Sequence, residues 1–196
     1  MKPLLALSRA IDWVNERIGH AVYWLVLAMV LISAGNATSR YVLGIASNAW
    51  LELQWYLFAA VFLLCAGYTL LHNEHIRIDV LSSRLSARSR LWIDIFGTLL
   101  FLLPVSIFIV WLSWPIFLDA YRSNEISTNA GGLTVWPGRL MLPVGFFLLV
   151  LQGFSELIKR VAFLRGLIPD PADKDEGPTD EELLAAELRR QRGEAA

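Results

Sequence analysis

Apolar positions along this chain gather into long runs instead of alternating. Four stretches, at about residues 18–37, 50–71, 91–118 and 140–158, are nearly free of charge. Each has the ~20 residues that a helix needs to cross a hydrocarbon core. Backbone groups in lipid must satisfy their own hydrogen bonds, so these runs read as helices and not strands. The interruptions are few and sit near the ends: Glu52 and Gln54 in the second run, Asp94 in the third, Gln152 and Glu156 in the fourth, with Pro104 inside the third. The expected fold class is an all-α membrane protein with four transmembrane helices.

The flanking segments have a different pattern. Before the first run, Leu4, Leu7, Ile11, Val14 and Ile18 recur at steps of three and four, with Ser8, Arg9, Asp12, Asn15 and Glu16 between them. One apolar stripe on a helix fits an amphipathic helix at the membrane surface over residues 1–17. A plain extension of the first span is the alternative. Residues 18–163 then form the transmembrane domain, and residues 164–196 a polar tail. Pro169 and Pro171 break the helix before that tail, and Thr179 with Glu182 forms a capping-box pattern for one short helix in it. A cleaved leader is a competing reading of the first run, because Ser33, Ala34 and Ala37 are small. Asp12 and Glu16 ahead of the run, and apolar residues again at 41–43, argue against it.

Composition sharpens this picture. Hydrophobic residues make up 56% and charged ones 18%, against about 25% charged in soluble domains, which excludes an ordinary globule. The net charge of −1 makes nucleic acid an unexpected partner and leaves the lipid bilayer as the expected one. A single cysteine, Cys65, excludes an internal disulfide. Basic residues set the orientation. Lys2, Arg9 and Arg17 precede span one; Arg77, Arg84, Arg88 and Arg90 lie between spans two and three; Lys159, Arg160 and Arg165 follow span four. Both termini are therefore expected on the cytoplasmic side. Trp50, Trp55, Trp111, Trp114 and Trp136 fit the outer boundary, and Trp13, Trp24 and Trp92 the inner one. The last 31 residues carry nine acids and four bases, so the tail is acidic.

Candidate chemistry is sparse. The chain lacks a nucleophile triad at recognisable spacing, a phosphate-binding glycine loop and a metal-ligand cluster in its sequence, so no enzymatic activity and no cofactor in this chain are expected. His20, His72 and His75 leave open a haem- or quinone-binding anchor of an oxidoreductase complex. Glu52, one turn into span two, is the best-placed intramembrane acid. Arg40 lies on the same side, so a Glu52–Arg40 pair that pins spans one and two is expected. Asp94 and Glu156 lie near the inner surface, where Arg90 and Lys159 are pairing partners one helical turn away. The span interiors are too apolar to line a solute path.

Two loops carry a resemblance. After span two the chain reads His72-Asn73-Glu74-His75-Ile76-Arg77-Ile78-Asp79-Val80, and the next helix begins near Ala87-Arg88-Ser89-Arg90. Before span four come Ser123-Asn124-Glu125-Ile126-Ser127, Gly131-Gly132-Leu133 and Trp136-Pro137. In this order relative to four spans, the segments resemble the DctQ-like small membrane subunit of tripartite ATP-independent periplasmic (TRAP) transporters. The resemblance runs from about residue 9 to 166. Many relatives carry two adjacent acids where Leu51 and Leu53 flank Glu52 here. It implies a scaffold for a large many-span subunit that carries the solute and sodium sites and moves elevator-fashion, in a bacterial inner membrane. A periplasmic solute-binding protein delivers an organic acid, and sodium drives its import. On that reading Arg40, Glu52, His75, Arg77, Asp79 and Asp94 are subunit-interface or structural candidates. Asn124, Glu125 and Ser127 are candidates for docking the binding protein.

Overall fold

A computed structural model describes residues 1–45, 47–72 and 87–168, the last with side chains from residue 89. The described residues are helical apart from connections and one isolated bridge between Ile126 and Thr134. The helices are α1 (Lys2–Leu43), α2 (Asn48–Leu71), α3 (Ala87–Gly97), α4 (Leu103–Arg122) and α5 (Trp136–Leu164). A π-helical turn, Thr98–Leu102, joins α3 to α4. Four helical stretches are long and apolar enough to cross a membrane, with Ser89–Arg122 forming the third.

The π turn has a local cause. Pro104 has no N–H, and its ring would press on a carbonyl one turn back in a regular helix. The wider turn absorbs the misfit: the Leu103 N–H reaches back five residues to the Thr98 carbonyl. α1 ends where Gly44 adopts a left-handed conformation (φ 66°), which a glycine accepts without strain.

α5 is the hub of the bundle. It packs against α1, α2 and α4, whereas α4 packs chiefly on α5. α1 and α2 also pack on each other. Chain direction alternates: Ser8 and Asn15 of α1 meet Ser155 and Gln152 of α5, so those helices run antiparallel. Gly138 and Gly145 of α5 approach Tyr56 and Leu63 of α2, so that pair runs parallel. One end of the bundle therefore carries the start of α1 and the end of α5. The opposite, hairpin end carries the end of α1, the start of α2 and the connection 123–135.

Close approach depends on missing side chains. A Cβ on Gly145 would lie 2.6 Å from the Leu63 carbonyl oxygen, and one on Gly67 would collide with Asn15 Oδ1. Small residues permit such backbone contact between helices in lipid, where apolar burial gives little drive.

Residues 3–17 are helical, but the helix does not break after residue 17. The side buried against the bundle is Ser8, Ile11, Asn15, Gly19 and Val22. Of the apolar stripe, Leu4, Leu7 and Val14 are exposed. The polar side of this amphipathic segment thus packs on α5, because α5 offers matching hydrogen-bonding groups. The tail helix expected around Thr179 and Glu182 lies outside the described residues, as do His75, Arg77 and Asp79.

Candidate functional site

Two polar clusters hold the bundle, one at each end, each built around buried groups. At the hairpin end, Asn48, Glu52 and Tyr56 follow at four-residue steps and share one face of α2. All three grip the connection between α4 and α5. Asn48 Nδ2 donates to the Ala130 carbonyl at 3.0 Å, and the Tyr56 hydroxyl donates to the Thr134 carbonyl at 3.2 Å. The Glu52 carboxylate is 4% exposed. Its Oε1 accepts from the Ser127 hydroxyl and, at 2.8 Å, from Asn129 Nδ2; its Oε2 accepts from the Leu133 N–H at 2.7 Å.

The loop is shaped to fit this acid. Asn124 (φ 47°) and Gly131 (φ 69°) take left-handed turns at its two sides. Between them, Ser127 N–H donates to the Leu133 carbonyl and Val135 N–H to the Glu125 carbonyl, each at 2.9 Å. A Cβ on Gly132 would lie 2.8 Å from Glu52 Oε1, so glycine lets the backbone approach the carboxylate. Arg139 in the first turn of α5 forks onto Glu125 with two 2.7 Å bonds, the planar geometry that favours arginine.

The expected Glu52–Arg40 pair does not form. Glu52 turns to the α4–α5 connection, while Arg40 is exposed near the end of α1. Backbone, hydroxyl and side-chain amide donors from the loop satisfy the acid without a cation. Among the docking candidates, the Glu125 and Ser127 side chains bond within the chain, and Asn124 is exposed.

At the termini end, Asp12 is the centre of the second cluster. Ser155 Oγ donates to Asp12 Oδ1 at 2.6 Å and Gln152 Nε2 donates to the same oxygen at 2.9 Å. With its proton on Asp12, Ser155 accepts from the Ser8 hydroxyl at 2.7 Å. Asn15 Nδ2 donates to Gln152 Oε1 at 2.9 Å. Lys159 lies 3.3 Å from Asp12 and pairs also with Glu156, as the one-turn spacing anticipated for the latter. Asp94 is met from the neighbouring helix: Arg160 lies 3.5 Å from it and donates to Thr98 Oγ1 at 3.1 Å. Arg160 therefore staples the π turn to α5.

Sequence reasoning missed this second cluster. The signal was present: Ser8, Asp12 and Asn15, and Gln152, Ser155, Glu156 and Lys159, recur at helical spacing. Polar residues beside basic flanks read as hydrated when the facing helix is unknown.

Beside this cluster, Glu16 accepts from His72 Nε2 at 2.7 Å, and His20 lies 3.5 Å from the same carboxylate. The Tyr68 ring stands 4.4 Å from the His72 ring. Both histidines turn to Glu16, an arrangement that lends the haem-anchor alternative no support. Between the two clusters, α2 and α4 are apolar over most turns, with Ser106 and Ser113 buried.

The geometry is that of a bundle tied at both ends. The DctQ component of the tripartite ATP-independent periplasmic transporters matches residues 29–163. The chain belongs to this family. The match begins in the middle of α1 and runs almost to the end of α5, so it includes the Glu52 latch and omits Ser8, Asp12 and Asn15. DctQ proteins are small membrane subunits of transporters and not a family of enzymes. The DctQ chain described here is accordingly a multi-pass membrane protein whose family associates with further transporter components. Neither a curated protein nor a solved structure matched the chain.

Proposed function

We propose that this DctQ subunit is a passive brace in a sodium-coupled importer of an organic acid. The large membrane subunit carries solute and sodium and moves against it, and a periplasmic binding protein delivers the solute. The observation that carries the reading is the distribution of polarity. Buried polar groups concentrate in two end clusters that tie helices together, and the spans between them offer few groups to line a solute path. Alternating access needs one bundle to stay fixed while another rocks or slides, and latches at both ends suit the fixed partner.

The bacterial inner membrane with cytoplasmic termini is the setting that the basic flanks favour. The first turns of α1 then lie at the inner surface, the latched loop faces the periplasm, and its exposed tip around Asn124 and Thr128 is the docking surface for the binding protein. His75, Arg77 and Asp79 belong to the inner connection and serve the contact with the large subunit. Apolar side chains exposed along the third span, among them Phe101, Phe108 and Trp111, meet lipid and that subunit. No cofactor resides in this chain.

Reconstitution tests the proposal. Vesicles holding the binding protein and the large subunit take up the organic acid in a sodium gradient only when this chain is present, and vesicles holding this chain alone take up none. Uptake by the chain alone, or full uptake without it, refutes the brace.

A further inference from the structure

Asn36, in the last third of α1, is 7% exposed, and its side chain has no hydrogen-bond partner among the described residues. The amide has no partner of its own and opens onto the groove, so it is free to bond a ligand there. The amide lines a groove of about 440 Å³ between the end of α1 and the start of α2, together with Leu31, Ile32, Gly35, Ser47 and Trp50. That volume falls in the range of small-molecule pockets, about 300–1,000 Å³.

The chemistry along the groove is graded. Ile32, Asn36 and Arg40 follow at four-residue steps on one face of α1, about 6 Å apart along the axis. They run from apolar, to hydrogen-bond donor, to the exposed cation Arg40, which stands just beyond the groove's own lining at Ser39 and Ile45. Beside them α2 begins at Ser47, whose hydroxyl makes no capping bond. The first N–H groups of a 24-residue helix and the positive end of its dipole therefore open at the rim. Trp50 forms a wall at the depth where indoles favour the membrane boundary. The floor is open at Gly35, where an added Cβ would meet nothing within 4 Å.

We propose that this groove is a binding site for one glycerophospholipid. Acyl chain, ester carbonyl and phosphate occur in a phospholipid in the same order as Leu31 and Ile32, Asn36, and Arg40. The acyl chain runs over Gly35 between Leu31 and Trp50. Asn36 Nδ2 donates to an ester carbonyl. The phosphate lies between Arg40 and the start of α2, where both fields favour an anion. A partner helix, about 10 Å across, fits the groove less well: it is short and ends at Ser39 and Ser47, with Arg40 just beyond. The site uses this chain's own residues and does not depend on the transport role.

Native mass spectrometry tests it. The full-length chain, with any membrane partner that co-purifies, is delipidated and titrated with palmitoyl-oleoyl phosphatidylglycerol or with the matching phosphate-free diacylglycerol. One phosphatidylglycerol binds saturably per chain, roughly tenfold more tightly than the diacylglycerol, and Arg40→Gln removes that preference. Asn36→Leu weakens both lipids. Gly35→Leu fills the floor and abolishes the one-to-one adduct without lowering the melting temperature. Absence of a saturable adduct, equal affinity for the two lipids, or unchanged binding in Gly35→Leu overturns the proposal. So does a photo-crosslinker at position 36 that captures a protein in native membranes in place of lipid.

Discussion

Glu52 owes its role to three donors that reach it from one loop. Alanine there removes both acceptor oxygens, and the Ser127, Asn129 and Leu133 donors lose their shared partner. Glutamine keeps one acceptor, but its amide group faces a donor at one side. Hydrogen exchange at the Leu133 amide is therefore expected to rise from wild type to Glu52→Gln to Glu52→Ala, with the helices protected throughout. Equal exchange in all three would mean that the loop is held by Tyr56 and Asn48 alone. Glu52 was legible as the intramembrane acid worth attention, since such groups are costly. Its partners were not. Ser127 and Asn129 are more than seventy residues away, and only the return of the chain after α4 brings them over α2.

Two glycines make a second contrast at this scale. Gly145 meets the Leu63 backbone, which has no way to yield as a side chain would, whereas Gly35 faces open space. Gly145→Leu forces α5 away from α2 and costs about 1–3 kcal/mol. Gly35→Leu, on the lipid-facing side, leaves stability unchanged or raises it, because leucine is the better helix former. Thermal unfolding of the two variants in the same detergent separates them.

Among the elements, α1 departs furthest from what its sequence pattern implied. Its 42 residues extend about 63 Å at 1.5 Å per residue, well beyond a hydrocarbon core of about 30 Å. The change from amphipathic to wholly apolar near residue 18 looks like a boundary between two helices. The backbone continues because no proline or glycine pair interrupts it, and because Asp12, Ser8 and Asn15 anchor the first turns onto α5. The third span shows the reverse case. Pro104 announced a disturbance, and the π turn is that disturbance, held by Arg160. Arg160→Met withdraws the donor from Thr98 and the cation from Asp94. The variant is expected to lose about 1–3 kcal/mol, while Thr98→Val, which removes the hydroxyl acceptor, loses about 1 kcal/mol or less. Chemical denaturation of both against wild type measures the difference.

For the whole molecule, the hub position of α5 determines how the bundle responds to damage. α1 and α2 reach α4 mainly through it, so loss of the α1–α5 cluster loosens the first turns of α1, which stays packed on α2, without releasing α4. Asp12→Ala removes the group on which Ser155, Gln152 and Lys159 converge. Its expected effect is selective: faster proteolysis or exchange over the first turns of α1, an intact hairpin end, and lowered uptake in the assembled transporter. A global loss of protection instead would mean that α1 holds the entire bundle. Reporter or cysteine-labelling topology mapping completes this scale, with residues 2 and 165 expected on one side of the membrane and residues 45 and 128 on the other.

The sequence by itself determined the four spans, their order, the absence of a recognisable catalytic motif and the family. Each is a matter of local composition, segment length or motif order, which act before any long-range contact exists. Tertiary structure decided which polar residues are buried. Ser8 and Asp12 look like residues facing water, and Glu52 like an acid paired with Arg40, until the elements that face them are placed. In a membrane bundle an apolar side chain is equally at home toward lipid or toward protein, so hydropathy leaves the packed face undetermined. Hydrogen-bonding groups have no such freedom, and their need for partners selects the packing.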